Sequence, residues 1–207
     1  MISPVVKPLT RTVGAVALGY LFGTLPSADV ATRLATGGAV DLRMAGSGNP
    51  GATNASAVLG KRWGYAVLTA DIAKGALACT AGRAVAGDAG THWSGTAAVV
   101  GHCFPVWNGF RGGKGVAASV GQCAMTFPAY FPIDLGVAAL TAAGPWRQRA
   151  FAVTAVASAA WIAGGVLWWR RGWTNLWGPR PTAALPLASA ASSAVILYKF
   201  ASARRPT

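Results

Sequence analysis

The residue types best suited to chemistry in this sequence lie in the segment Gly112-Gly113-Lys114-Gly115, which Arg111 precedes. Glycines allow a backbone with positive φ that comes close to a ligand, and successive amides in such a turn form a concavity that attracts anions. The lysine adds a full positive charge, and a helix over the apolar run that starts at Val116 would direct its positive N-terminal dipole to the same place. This pattern predicts a phosphate-binding turn. A plain turn between two helices remains the alternative for as long as the motif is considered alone.

The glycine-rich segment is not a nucleotide-binding P-loop. That motif needs Ser or Thr directly after its lysine, whereas Gly115 follows Lys114 here. The sequence also shows no Ser–His–Asp order, no cluster of metal-ligating residues and no dinucleotide fingerprint, and it contains no glutamate. We therefore expect neither a metal nor a cofactor, and a mechanism that depends on glutamate is excluded.

The polar stretch 45–54 offers a second group of side chains suited to substrate contact. Ser47, Asn49, Thr53 and Asn54 lie between its glycines. Their hydroxyl and amide groups match the oxygen atoms of a polyol or a phosphate. Arg43 adds a positive charge just before them. An ordinary polar turn remains the alternative for this loop taken alone.

Three further ionisable residues lie within or at the end of apolar runs. Asp71 and Lys74 are three residues apart, which places both on one face of a helix. Ionisable groups at membrane depth are costly, so they are usually paired or functional. A structural ion pair is the favoured interpretation. His102 comes just before the glycine-rich segment, and it is either a hydrogen-bonded structural group or a catalytic group.

The composition indicates that a membrane protein positions these groups. Of the 207 residues, 53% are hydrophobic and only 11% are charged, against about 25% charged residues in a typical soluble domain. The net charge of +13 would suggest nucleic acid as the partner of a soluble protein. Basic residues at the ends of apolar spans instead indicate anionic lipid and the positive-inside rule. Membrane lipid is therefore an expected partner and nucleic acid is not.

Seven apolar segments lie at about 13–25 (extendable to 30 across Pro26), 63–85, 93–107, 116–130, 133–143, 150–169 and 182–200. Several are shorter than the roughly 20 residues of an upright membrane helix, so six spans also fit. We predict an all-α fold: one domain, 1–207, forming a polytopic integral membrane bundle of about seven transmembrane helices. With the N-terminus outside, most basic residues and both polar loops face the cytoplasm. Arg147, Arg149, Arg204 and Arg205 belong to that basic set.

Three stretches together resemble the bacterial acyl-phosphate:glycerol-3-phosphate acyltransferase family. They are Gly46–Asn54 (Gly-Ser-Gly-Asn-Pro-Gly-Ala-Thr-Asn), Asp71–Gly75 (Asp-Ile-Ala-Lys-Gly) and Gly101–Val116, which contains the glycine-rich segment. Their order and spacing also match the family. Each alone carries a risk of coincidence, whereas three in register are specific. The resemblance is strong from about residue 10 to 121 and weak beyond it.

The resemblance implies a multi-pass protein of the bacterial inner membrane whose cytoplasmic loops form the active site. It implies acyl transfer from acyl phosphate to the 1-hydroxyl of glycerol 3-phosphate, giving lysophosphatidic acid for phospholipid synthesis. An upstream enzyme that forms acyl phosphate is the matching partner. Lys114, Ser47 and His102 are the catalytic candidates. The substrate-binding candidates are Arg43, Asn49, Thr53, Asn54, Arg111, Gly112, Gly113 and Gly115.

The C-terminal third departs from the family pattern. The family's last helix ends in a basic motif with a histidine, whereas this chain reads Tyr198-Lys-Phe-Ala-Ser-Ala-Arg-Arg-Pro-Thr207, with Phe200 at the histidine position. Thr154 at best replaces the serines that the family carries after the preceding basic loop. A catalytically eroded paralogue that binds a phospho-ligand or lipid headgroup is therefore the second hypothesis. A transporter of phosphorylated solutes is a distant third, because no inverted repeat is visible.

Overall fold

The computed structural model describes residues 6–143 and 150–203, and within these ranges it contains α-helices and one short 3-10 helix but no β-strand. The helices are α1 (Val6–Gly23), α2 (Ser27–Thr36), α3 (Ala52–Leu59), α4 (Lys61–Cys103), α5 (Val116–Thr126), α6 (Phe131–Ala143), α7 (Ala150–Arg171) and α8 (Ala184–Ser202), with the 3-10 helix at Val106–Asn108. The all-α prediction is confirmed for this part of the chain.

The first predicted segment is two helices. Helix α1 ends at Gly23 and α2 begins at Ser27, because Pro26 has no N–H to donate and disfavours helical backbone in the residue before it. The predicted apolar segment across Pro26 therefore contains a break, although Leu9–Thr36 as a whole is long and apolar enough to cross a membrane. The first turn of α2 lies beside the two polar loops, because its Asp29 accepts hydrogen bonds from Arg43 and Asn108.

Helix α4 contains the second and third predicted spans. Its helical geometry breaks at Ala86 and Gly87, and Gly87 has φ 61° and ψ −144°, a conformation open essentially only to glycine. The two arms, 61–85 and 88–103, pack side by side next to this break. A Cβ on Gly82 would overlap the carbonyl of Gly90. The chain reverses its direction at this break. The end of the second arm therefore lies beside the middle of the first, where His102 approaches Asp71.

Glycines allow the helices of the bundle to pack backbone against backbone. A Cβ on Gly23 would overlap the carbonyl of Ala98, and one on Gly75 would overlap that of Ala118. These contacts join α1 to the second arm of α4, and the first arm of α4 to α5. Small residues drive helix packing where lipid removes the usual hydrophobic advantage.

Three stretches of the described chain are long and apolar enough to cross a membrane: Leu9–Thr36, Ala150–Arg171 and Ala184–Ser202. The number of seven membrane crossings stays a prediction. Helix α5 ends at Thr126, earlier than predicted, because Pro128 follows within two residues. The basic residues Arg147 and Arg149 lie outside the described residues.

Candidate active site

Arg43 joins the two polar loops to each other and to α2. Its Nε donates to the carbonyl oxygen of Arg111 at 2.9 Å. Its Nη1 and Nη2 donate to the two carboxylate oxygens of Asp29 at 2.6 and 3.2 Å, and Nη1 also lies 3.3 Å from the carboxylate of Asp41. The Asp29 hydrogen bond raises the pKa of Arg43, against the opposing effect of burial, so the guanidinium stays charged. The predicted cation is present, and two carboxylates neutralise much of its charge.

Asn54 fixes the shape of the Gly46–Asn54 loop from below. Its side-chain oxygen accepts a hydrogen bond from the amide of Ser47, and its Nδ2 donates to the carbonyl oxygens of Leu42 and Ala45, each at 2.9 Å. The side chain is 3% exposed. All of these hydrogen bonds join Asn54 to its own loop or to the residues just before it. Asn54 therefore holds Ser47 in place and does not itself line the larger cavity described below.

The glycine turn lies directly over the imidazole of His102. The amides of Gly112 and Gly113 donate to the carbonyl oxygens of Cys103 and His102 at 3.2 and 3.1 Å. These two amides are therefore engaged by the backbone, which corrects the expectation of a row of open amides. A Cβ on Gly112 would overlap the His102 carbonyl, and one on Gly113 would overlap its Nε2. The glycines are needed here for close packing over the histidine.

Beneath this turn lies a buried cluster of charged side chains. Lys74 Nζ is 2.8 Å from Asp71 Oδ1 and donates to the Leu25 carbonyl oxygen at 3.1 Å. His102 Nδ1 lies 3.5 Å from the same carboxylate oxygen, which also accepts a hydrogen bond from the Ser27 hydroxyl. The predicted Asp71–Lys74 ion pair is confirmed. His102 borders a small cavity of about 20 Å³, room for about one water molecule.

A larger cavity of about 590 Å³ opens where the two polar loops meet the end of α8. Arg43, Arg111, Lys114 and Lys199 supply its positive charge. Ser47, Asn49 and Ser202 add polar groups. Among the described residues that line it there is no Asp or Glu. A concave surface with four basic side chains attracts an anion with several charges, such as a phosphate monoester.

The two lysines of the cavity each lie over an aromatic ring. Lys114 Nζ is 4.3 Å from the ring centroid of Phe200, and Lys199 Nζ is 5.0 Å from that of Phe104. Both distances are in the range of cation–π attraction. Phe200, which stands where the resembling family has histidine, is thus the partner of the predicted catalytic lysine.

The remaining predicted residues occupy different places. Gly112 borders both cavities, and Gly115, with φ 85°, is the N-cap of α5 behind the turn. Thr53 is exposed on α3, outside the residues that line the larger cavity. His102 also lies outside that lining, so direct contact with a ligand there is not supported by its position.

Two residues of the site, Lys199 and Asp29, were not among the residues predicted from the sequence. Lys199 belongs to the last helix, and its basic neighbours Arg204 and Arg205 lie outside the described residues. Its position beside Phe200 in the divergent tail was the available signal. No signal in the sequence pointed to Asp29, because an aspartate in the first turn of a helix is already explained by its favourable interaction with the helix dipole.

Comparison with known proteins now identifies the family. The family model described as "Glycerol-3-phosphate acyltransferase" matches residues 13–205. The chain belongs to the glycerol-3-phosphate acyltransferase family. The match continues through α8, so membership in this family extends over the C-terminal third that looked divergent.

Individual members of the glycerol-3-phosphate acyltransferase family support the assignment. The glycerol-3-phosphate acyltransferase of Exiguobacterium sibiricum is 43% identical over 127 residues, 61% of each chain. That of Myxococcus xanthus is 42% identical over 156 residues, 74% of this chain and 76% of its own. The stretch matched in the E. sibiricum protein is thus less than two thirds of that relative's length.

A solved member of the family has the same fold. The crystal structure of PlsY (YgiH), an integral membrane glycerol 3-phosphate acyltransferase in its glycerol 3-phosphate form, superposes with a TM-score of 0.71 at 27% identity. The match covers 92% of this chain and 88% of that chain. This chain is accordingly an integral membrane protein of the same architecture.

Proposed function

We propose that this protein transfers a fatty acyl group from acyl phosphate to the 1-hydroxyl of glycerol 3-phosphate, giving lysophosphatidic acid for phospholipid synthesis. The observation that carries the proposal is the 590 Å³ cavity with its four basic side chains, in a chain of the glycerol-3-phosphate acyltransferase family. Both substrates carry a phosphate group, and a cavity rich in cations binds such groups well. The glycerol 3-phosphate form of the solved relative supports the acceptor.

The chemistry requires orientation more than a covalent intermediate. An acyl phosphate is already activated, so the 1-hydroxyl oxygen bonds to the carbonyl carbon while the carbon–oxygen bond to phosphate breaks. The hydroxyl proton passes to the departing phosphate, and no protein base is consumed. Binding both substrates in one cavity supplies proximity. Lys114 stabilises the negative charge that develops on the carbonyl and the leaving phosphate.

The other predicted residues take supporting roles in this proposal. Ser47 and Asn49 face the cavity and are suited to hydrogen-bond the acceptor's hydroxyl groups. Arg43 and Arg111 add charge, with Arg43 also holding the two loops together. His102 supports the glycine turn from beneath. The group as a whole would bind both substrates without a metal or cofactor.

We further propose that the protein resides in the bacterial inner membrane with both polar loops in the cytoplasm. The loops share one end of the bundle, as the Arg43–Arg111 hydrogen bond requires, and their basic residues suit the cytoplasmic side. Glycerol 3-phosphate is a dianion and does not cross lipid unaided. A cytoplasmic supply of it would therefore reach these loops only if they face the cytoplasm. An upstream enzyme that forms acyl phosphate would supply the donor.

Acyl transfer in membranes carrying the protein tests this function. Palmitoyl phosphate and radiolabelled glycerol 3-phosphate are supplied, and labelled lysophosphatidic acid is measured for the wild type, Lys114→Ala and Lys61→Ala. Lys61 is an exposed lysine at the start of α4, outside the cavity lining, and serves as the matched control. Product with the wild type and Lys61→Ala but not with Lys114→Ala is expected. No product from folded, inserted wild-type protein would reject the proposal for these substrates.

The eroded-paralogue alternative is not favoured. It rested on the weak resemblance of the C-terminal third to the family. However, the family match continues to residue 205, and α8 contributes Lys199 and Ser202 to the cavity. The last helix therefore retains a part in the site despite its changed residues.

A further inference from the structure

The contacts between lysines and phenylalanines at the cavity are crossed. Lys114 belongs to the glycine turn and lies over Phe200 of α8, whereas Lys199 of α8 lies over Phe104, which leads into the turn. Each of the two segments thus supplies one ammonium group and one ring. Both lysines border the same 590 Å³ cavity.

Rings hold a cation without neutralising it. The face of an aromatic ring attracts a positive charge through its quadrupole, but the ring carries no net charge of its own. A ring adds no negative charge beside the ammonium group that it contacts, whereas a carboxylate partner would compete with the ligand. The crossed contacts are therefore suited to holding two lysines ready for phosphate.

Packing fixes the ring of Phe200. It is 7% exposed and belongs to a core cluster with Val99, Cys103, Ala118 and Ile196. The ring of Phe151 packs edge-on against it at 6.5 Å. A ring held on several sides gives the lysine above it a defined position.

We propose that Lys199 is a second phosphate-binding lysine of the site, and that Phe200 and Phe104 are positioning residues that hold the ammonium groups of Lys114 and Lys199 at the cavity. The ligand group is a phosphate monoester or an acyl phosphate, the two phosphate chemistries of the proposed reaction. The kinetic part of this inference rests on the proposed function, and its binding part does not.

Substitution of Lys199 separates its charge from its bulk. Lys199→Met removes the charge and keeps a long chain, Lys199→Arg keeps the charge, and Lys61→Met is the control for loss of a basic residue elsewhere. The KM is measured for acyl phosphate and for glycerol 3-phosphate, each with the other saturating. We expect Lys199→Met to raise one KM by about tenfold or more, with Lys199→Arg and Lys61→Met within about threefold of wild type. The substrate whose KM rises is the one that Lys199 binds.

An unchanged KM for both substrates in Lys199→Met would overturn the role of Lys199. A rise that Lys199→Arg shares equally would also overturn it, because the lost property would then not be charge.

Substitution of Phe200 tests the positioning role. Phe200→Leu fills much of the space but offers no ring, whereas Phe200→Tyr keeps the ring face. We expect Phe200→Leu to reduce kcat/KM by about three- to tenfold, and Phe200→Tyr to retain most of it, at equal melting temperature in detergent. A purely structural role would instead lower the melting temperature along with activity. Equal kinetics for Phe200→Leu and Phe200→Tyr would reject the positioning role.

A binding measurement separates this inference from the proposed function. Inorganic phosphate is titrated into purified wild type, Lys199→Met and Lys61→Met, and heat or thermal stabilisation is recorded. Phosphate that binds to wild type and Lys61→Met, with at least about tenfold weaker binding to Lys199→Met, supports the second lysine even if no acyl transfer is found. Equal binding by all three proteins contradicts it even if acyl transfer is found.

Discussion

Lys74 and Lys114 carry the same charge but meet different partners. Lys74 is 4% exposed and lies 2.8 Å from the Asp71 carboxylate, with His102 on the same oxygen. Lys114 borders an open cavity and lies over the ring of Phe200. The first charge is paired inside the bundle, whereas the second lies at a cavity that can take a ligand.

The contrast shows how one small bundle separates scaffold charges from binding charges. A buried cation needs an anion because desolvation is otherwise too costly. A cation that is to bind phosphate is weakened by a neighbouring carboxylate, because the carboxylate competes with the ligand. Arg43 stands between the two cases, since it borders the cavity while Asp29 and Asp41 hold its guanidinium.

The largest effect is expected from Asp71→Asn. This change leaves Lys74 buried with no carboxylate beside it, and breaking such a pair from one side costs about 3–5 kcal/mol. Thermal unfolding in detergent should show a strongly lowered Tm, or no folded protein at all. The double variant Asp71→Asn/Lys74→Met should recover much of the loss. Wild-type stability in the single variant would mean that the pair is not needed to neutralise Lys74.

Lys114→Met should separate activity from stability. Loss of one charge-stabilising group is expected to lower kcat by about 10²–10³-fold, while loss of a cation–π contact costs only about 0.5–1 kcal/mol of stability. Turnover is measured by lysophosphatidic acid formation and stability by Tm, beside Lys61→Met. A large fall in Tm with little change in kcat would place Lys114 with Lys74 among the scaffold charges.

Asp29→Asn tests the intermediate case. Asp29 accepts two hydrogen bonds from Arg43 and one from Asn108 at 2.7 Å. Loss of its charge should cost about 1.5–3 kcal/mol, the range for hydrogen bonds to charged groups, and loosen the contact between the two loops. A fall in Tm and a raised KM for glycerol 3-phosphate are expected together. A lowered KM would show instead that Asp29 competes with the substrate for Arg43.

Asp41→Asn should have the smallest effect. The Asp41 side chain is 52% exposed and its Oδ1 lies 3.3 Å from Arg43 Nη1, and exposed ion pairs contribute about 0–1 kcal/mol. Oδ1 also accepts a hydrogen bond from the Arg43 backbone amide at 2.8 Å, and the amide oxygen of asparagine can still accept it. The variant's Tm should stay close to that of wild type, and the small difference should vanish in high salt. A loss as large as that of Asp29→Asn would mean that both carboxylates are needed to hold the guanidinium.

The local features of this fold were predictable from sequence. The helices follow from long apolar runs, and the Asp71–Lys74 pair follows from its spacing of three residues on one helix. The alternation of predicted spans placed the two polar loops on one face of the membrane, and the Arg43–Arg111 hydrogen bond brings them together. Each of these expectations depends on neighbours in the chain or on counting membrane crossings.

Contacts between distant helices were not predictable in the same way. Helices that are apolar all round give no signal of which face turns inward, so the approach of His102 to Asp71 and of Lys199 to Lys114 depends on rotations that the pattern does not encode. The amides of Gly112 and Gly113 are satisfied by carbonyls before the turn. Glycine content alone predicts a permissive backbone but not which of its N–H groups are already engaged.

The crossed contacts between the glycine turn and α8 also bear on how the protein is made. Helices α5, α6 and α7 separate these two segments in the chain, so Lys199 and Phe200 arrive only when the last helix has left the ribosome and entered the membrane. Up to that moment the nascent chain holds Lys114 without its ring. A chain that ends prematurely anywhere before α8 would lack the part of the cavity lining that Lys199 and Ser202 supply.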